Sequence, residues 1–204
     1  IVFAGNDEAM MPVVILGVDR DQNLFGDAQG KWQAKYIPAC VRRYPCIFSM
    51  SEDNERFFLC IDEDYTGCNR EGRGERLFDS DGERTQYLGN VLNFVKEYQV
   101  QFNRTRAFCN RLRELDLLEP MQAQFSLPSG KQKSLSGFMA ISREKLKALS
   151  GDKLAELAKS DELELMYMHL QSMKNFSAML ELAKAGELEA VSEEVVPGKK
   201  KKSA

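Results

Sequence analysis

The residues best suited to chemistry lie close together: Trp32, Tyr36, Arg42, Arg43 and Tyr44, with Pro38 and Pro45 stiffening the backbone between them. This box holds the only Trp of the chain, two Tyr and an Arg pair. Arginine offers a planar fork of donors that matches carboxylate or phosphate and stacks on aromatic rings. Two readings of the box follow. In one it lines a pocket in which an arginine holds an anionic group. In the other it is a rigid loop whose arginines pair with Asp62, Glu63 or Asp64. Adjacent residues do not face the same way on a strand or helix, so only one of Arg42 and Arg43 is expected to enter a pocket.

Other candidates are weaker. Asp62, Glu63 and Asp64 follow a predicted strand, and clustered carboxylates there suit a cation or acid–base work, but they lack calcium-loop spacing. A solvated turn is the alternative. His169 is the only histidine and falls on an apolar helix face, where a packed, hydrogen-bonded imidazole is expected. It becomes a general base only if a nucleophile or carboxylate converges on it. Met166, Met168, Met173 and Met179 could form an adaptable groove, although Met166 and Met173 fit core positions. No G-x-S-x-G, P-loop or strand-to-helix G-x-G-x-x-G occurs, and Gly72 and Gly74 lack that context. No metal site or cofactor is expected.

The five cysteines, Cys40, Cys46, Cys60, Cys68 and Cys109, are odd in number and form no C-x-x-C pair, which predicts reduced thiols and a cytoplasmic location. The net charge of −3 gives no basic field for nucleic acid. No apolar run reaches the ~20 residues of a membrane-spanning helix. No signal peptide is visible, although a first residue other than Met leaves room for a trimmed N-terminus. At 204 residues the chain suits one domain. We expect it over residues 1–190, followed by a disordered tail, 191–204, that carries Lys199 to Lys202.

Elements that would position these groups can be read from periodicity. Val2–Ala4, Val13–Val18, Cys46–Met50 and Arg56–Ile61 read as strands. Pro38 to Tyr44 reads as one helical turn, and Asp62 to Gly82 as irregular. Leu88, Val91, Val95, Tyr98, Phe102, Cys109 and Leu112 share one helical face, widened by Leu92, Phe94, Phe108 and Leu115. They predict a heavily buried helix from about Arg84 to about Leu117, capped by Ser80 to Glu83 and ended by Pro120. Gln122–Leu127 and Gln132–Ile141 read as strands around a turn at Pro128 to Lys131. Short helices follow at 143–149 and 153–159. A last helix opens at Asp161 with Leu165, Met166, His169, Leu170, Met173, Phe176 and Leu180 on one face.

Several segments together resemble one bacterial family. They are Tyr36 to Pro38, Arg42 to Pro45, Leu77 to Asp79 with Gly82, and Leu115 to Pro120. Gly137 and Phe138 leading to Glu144 and Leu146 belong to the same set, as do Met166 to Leu170 with Met173 and Asn175. Their order and spacing are similar to the SapC family of surface-layer-associated proteins, which is distinct from the like-named peptide-transport permease. The resemblance implies an auxiliary protein, and association with halogenase-like, cupin-type or surface-layer proteins by genomic context. It carries over no catalytic residue. Cys40 and Cys46 stand where the family pattern would place ordinary apolar residues.

The expected fold is α+β, a mostly antiparallel sheet packed against a long central helix and C-terminal helices. The expected function is non-enzymatic binding or an accessory role. Its ligand or partner site would comprise Trp32, Tyr36, Arg42, Arg43, Tyr44 and Asp62, and would take a small anionic or aromatic ligand or a protein partner. The alternatives are an enzyme using that pocket with Asp62 or His169, and a structural surface-layer component.

Overall fold

The computed structural model describes residues 1–6, 9–19, 22–27, 29–53, 56–127, 129–130 and 132–194. The expected tail, with Lys199 to Lys202, therefore lies almost wholly outside the described residues, as do Pro128 and Lys131 of the expected turn. The protein is α+β. Its chain divides into two compact units, one of residues 1–33 with 106–204 and one of residues 34–105.

The first unit is built on strands β1 (Val2–Ala4) and β2 (Met11–Val13). The second unit holds the helical turn α1 (Ala39–Arg42) and the strands β3 (Cys46–Met50) and β4 (Phe57–Ile61). Helix α2 (Gln86–Glu114) starts in the second unit and supplies its last turns to the first. The first unit is completed by β5 (Leu118–Ser126), β6 (Gln132–Ile141), α3 (Arg143–Lys147), α4 (Gly151–Lys159), α5 (Glu162–Ser172) and α6 (Asn175–Glu194).

In the first unit an antiparallel sheet runs in the order β2-β1-β6-β5. Its core joins Phe3, Phe108, Cys109, Leu112, Leu117, Ile141, Leu146, Leu157 and Met166. A second cluster places Met179 and Ala183 against Val18, with Phe176 and Leu180 beside them. The β5–β6 ladder slips between Met121 and Ala123, opposite Gly137 at φ 81°. Glycine adopts that left-handed conformation without a Cβ penalty, which suits a bulge. His169 is packed as expected. Its Nε2 accepts the Ile141 amide at 3.1 Å, and its ring lies 4.9 Å from that of Phe3.

Several expected boundaries move. Val13 to Val18 is not one strand: β2 ends at Val13, and Val14 is exposed. A short β-branched run reads the same whether it pairs or merely precedes a loop. Helix α2 begins later than expected, and Thr85 rather than Ser80 caps it, its Oγ1 accepting the Leu88 amide at 3.3 Å. Pro120 does not end the helix. Asp116, at φ 50°, turns the chain after Glu114, and the Leu117 amide returns to the Leu112 carbonyl at 2.9 Å. This satisfies carbonyls that a helix end leaves open. Pro120 sits inside β5, the sheet's edge strand, where its missing N–H is tolerated.

The α2 stripe is not buried throughout. Leu88, Val95, Phe108, Cys109 and Leu112 are buried, but Phe102 is exposed and Val91 and Tyr98 are half-buried. The two short helices are separate as expected, but the second opens earlier, at Gly151, where Ser150 caps it by accepting the Lys153 amide. The expected last helix is two, α5 and α6, parted at Met173 and Lys174. All five cysteines are free thiols. Among the described residues no helix is long and apolar enough to cross a membrane.

Candidate functional site

Five of the six expected site residues, Tyr36, Arg42, Arg43, Tyr44 and Asp62, fall in the second unit, whereas Trp32 belongs to the first. Trp32 stands in a small hairpin, bridged to Gly26, and its ring stacks 6.2 Å from Phe25. Asp27 pins that hairpin by accepting the Lys31 amide at 2.7 Å and the Gln33 side-chain amide at 2.6 Å.

The Arg pair owes its placement to α1. Pro38 precedes the turn, and its carbonyl accepts the Val41 and Arg42 amides. A proline at this point costs the helix no hydrogen bond, since its missing N–H would have had no intrahelical partner. The Cys46 amide then donates to the Arg43 carbonyl at 2.7 Å and starts β3.

The two arginines are held differently. Arg42 Nε donates to the Ile37 carbonyl at 3.0 Å, and Nη2 reaches the Tyr36 hydroxyl at 3.4 Å. Its guanidinium lies 5.4 Å from the Tyr36 ring centre and 5.3 Å from that of Phe94. The Arg43 guanidinium instead lies over the Tyr98 ring, 4.6 Å from its centre. Among the described residues no carboxylate pairs with either arginine. Two of the three acidic residues expected to pair with them are engaged elsewhere: Asp62 Oδ2 accepts the Tyr44 hydroxyl at 2.8 Å, and Glu63 faces Arg70 at 3.8 Å. Tyr44 also meets Tyr65 edge-on at 5.2 Å. The Asp62 carboxylate holds the Tyr44 hydroxyl in its protonated form, so the phenol titrates above its ordinary range.

Contrary to the expectation that only one arginine would enter a pocket, both line one cleft of 260 Å³, because they lie at the end of a single helical turn rather than on opposite faces of a long element. Tyr44, Pro45, Cys46, Tyr87, Asn90, Val91, Phe94 and Val95 complete it. Its lining has two guanidinium groups and no carboxylate. A second cleft, 410 Å³, shares Pro45, Cys46 and Tyr87 and extends past Ile61, Tyr65, Cys68 and Leu77. Burial, and then the neighbouring Cys68 thiol, push the Cys46 thiol up, so it is a poor nucleophile at neutral pH.

The α2 residues of the first cleft were not legible as site residues. Tyr87, Asn90, Val91, Phe94, Val95 and Tyr98 lie three or four apart and form one helix face. From sequence that face reads as core. Tyr87 and Asn90 stood outside the apolar stripe, and an aromatic–polar face opposite an Arg pair is the signal that would have found them.

The family motif around Leu77 also has a local cause. The Asp79 carboxylate accepts the Asp81 and Glu83 amides, both at 2.9 Å, and Gly82 closes the turn at φ 80°. Phe78 then bridges to Arg84, and Thr85 Oγ1 bonds the Arg76 carbonyl at 2.6 Å. This turn delivers the chain to the start of α2. Among the described residues no group of three His, Cys, Asp or Glu side chains could hold a metal ion.

The SapC family model matches residues 1–179, and the chain belongs to that family. No curated protein and no solved structure matches it.

Proposed function

We propose that this SapC-family protein is a binding protein whose Arg43 cleft takes a planar anion, a carboxylate attached to an aromatic or other flat group. The observation that carries this reading is a cleft lined by two arginines and no carboxylate. Arg42 acts as a strut, since its donors go to Ile37 and Tyr36. Arg43 lies over the Tyr98 ring, a cation–π contact that uses no N–H donor and leaves those donors for an anion. Phe94, Val91 and Tyr87 supply apolar and aromatic walls for the rest of the ligand. Tyr44, fixed by Asp62, sets the rim. Trp32 has no role in this reading.

The surroundings of His169 and Asp62 favour binding over catalysis. His169 is buried, its ring lies against Phe3, and its Nε2 accepts the Ile141 amide, while the Ser172 hydroxyl donates to its backbone carbonyl rather than to the ring. Asp62 is committed to Tyr44.

The test is calorimetric titration with benzoate and with inorganic phosphate, on the wild type and on Arg43→Met. Benzoate should bind more tightly than phosphate. Arg43→Met should lose charge-assisted bonds worth about 1.5–3 kcal/mol, roughly tenfold or more in affinity, with little change in melting temperature. Equal benzoate binding by both proteins, with only stability reduced, would make the box a scaffold.

A further inference from the structure

The hairpin of the second unit has an edge that fits a copy of itself. The Asp62 amide donates to the Pro45 carbonyl at 3.0 Å, and the Ser51 amide to the Arg56 carbonyl at 2.9 Å. With the observed register, in which Ile47 faces Cys60 and Ser49 faces Phe58, these two bonds fix the parity of the ladder. Hydrogen-bonded pairs alternate along an antiparallel ladder. The even-numbered residues of β4 therefore bond to β3. Phe57, Leu59 and Ile61 point their N–H and C=O groups the other way. Among the described residues the sheet has only these two strands, so that outer row has no strand partner there. On the β3 side the Cys46 amide is already spent on Arg43.

Natural edge strands are blunted by lysine, proline, a bulge or shortness. β4 has five residues, all apolar and none a proline, and pairs with β3 without a bulge. Phe57 and Phe58 are 49% and 56% exposed. The strand is bracketed by opposite charges, Arg56 before it and Asp62 after it. An antiparallel partner related by a two-fold axis at Leu59 would set Leu59 against Leu59, Phe57 against Ile61 and Arg56 against Asp62. The residues with outward backbone groups would then meet one another, and each end would pair opposite charges.

We infer that β4 is a self-association edge, through which two copies of this chain join their hairpins into one four-stranded antiparallel sheet about Leu59. This inference rests on backbone parity and charge order and is independent of the ligand reading. A two-stranded sheet is marginal alone and gains from becoming four-stranded.

The test is sedimentation velocity over a wide concentration range, on the full chain and on Leu59→Pro. Proline at 59 deletes an amide that faces outward and spares the ladder to β3. The wild type should run as a dimer. Leu59→Pro should remain folded by circular dichroism and dissociate at least ~tenfold more readily. If Leu59→Pro fails to fold, Leu59→Cys decides. Opposed residues at this position lie about 5.5 Å apart at Cα, within disulfide reach. Mild oxidation with diamide should then trap a covalent dimer that neither the wild type nor Ser49→Cys forms. A wild type that stays monomeric overturns the inference. So does a dimer that Leu59→Pro leaves intact, or one that Leu59→Cys does not trap.

Discussion

Phe3, Leu112, Leu157 and Met166 in the first unit are shut away from solvent in one continuous core. Among the described residues of the second unit the buried apolar ones are Cys46, Leu88 and Val95, while Tyr36, Tyr44, Phe57, Phe58, Phe78 and Tyr87 stand exposed. Both units expose some large apolar side chains, but the first encloses most of its own in a core and the second leaves most of its aromatic ones at the surface. Large exposed apolar patches accompany interaction sites, and the proposed ligand cleft and the proposed strand edge both draw on this set.

The sharpest way to break that contrast is to delete matched apolar groups. Leu157→Ala in the first unit should cost about 2–5 kcal/mol, because it opens a cavity in a closed core. Val100→Ala, on an exposed face of α2 in the second unit, should change stability by no more than ~0.5 kcal/mol, as an exposed substitution does. Chemical denaturation of the two variants checks both values. Similar losses at the two positions would erase the distinction.

A second, smaller effect is confined to the first unit. Burial pushes the His169 imidazole down to about 4 from its ordinary 6.5. The native state holds it neutral, whereas the unfolded chain takes up a proton near 6.5. The unfolded state therefore binds more protons below that pH. Stability should fall as pH drops through 6.5 and level off near 4, where native His169 is protonated as well. A depression of this size corresponds to about 3 kcal/mol at full extent. Denaturation midpoints from pH 8 to pH 4, compared with those of His169→Gln, isolate the contribution. Parallel curves for the two proteins would mean that His169 is not held neutral.

Much of this architecture was legible in the sequence. The long helix, the β3 and β4 strands, the single turn after Pro38 and a packed His169 follow from period, proline chemistry and composition. The misplaced boundaries share a cause. Thr85 was overlooked as a cap because Ser80 to Glu83 imitates a capping box, and only the turn at Asp79 and Gly82 delays the helix. Pro120 read as a stop because nothing local distinguishes a helix end from an edge strand that tolerates proline. The site was legible in part. Tyr36, Arg42, Arg43, Tyr44 and Asp62 share one unit, whereas Trp32 belongs to the other, a division that spacing along the chain does not reveal. Phe94 and Tyr98 read as core from sequence, because a helical stripe says that side chains share a face without saying what the face meets.

The central claim is that Arg43 is an anion-binding group. It is tested most directly by following the arginine Nε–H signals by nuclear magnetic resonance during a benzoate titration. The account predicts a saturable shift of the Arg43 signal, a smaller response from Arg42, whose Nε is bonded to the Ile37 carbonyl, and loss of the response in Arg43→Met. Benzoate that saturates the protein while the Arg43 signal stays unmoved would contradict it.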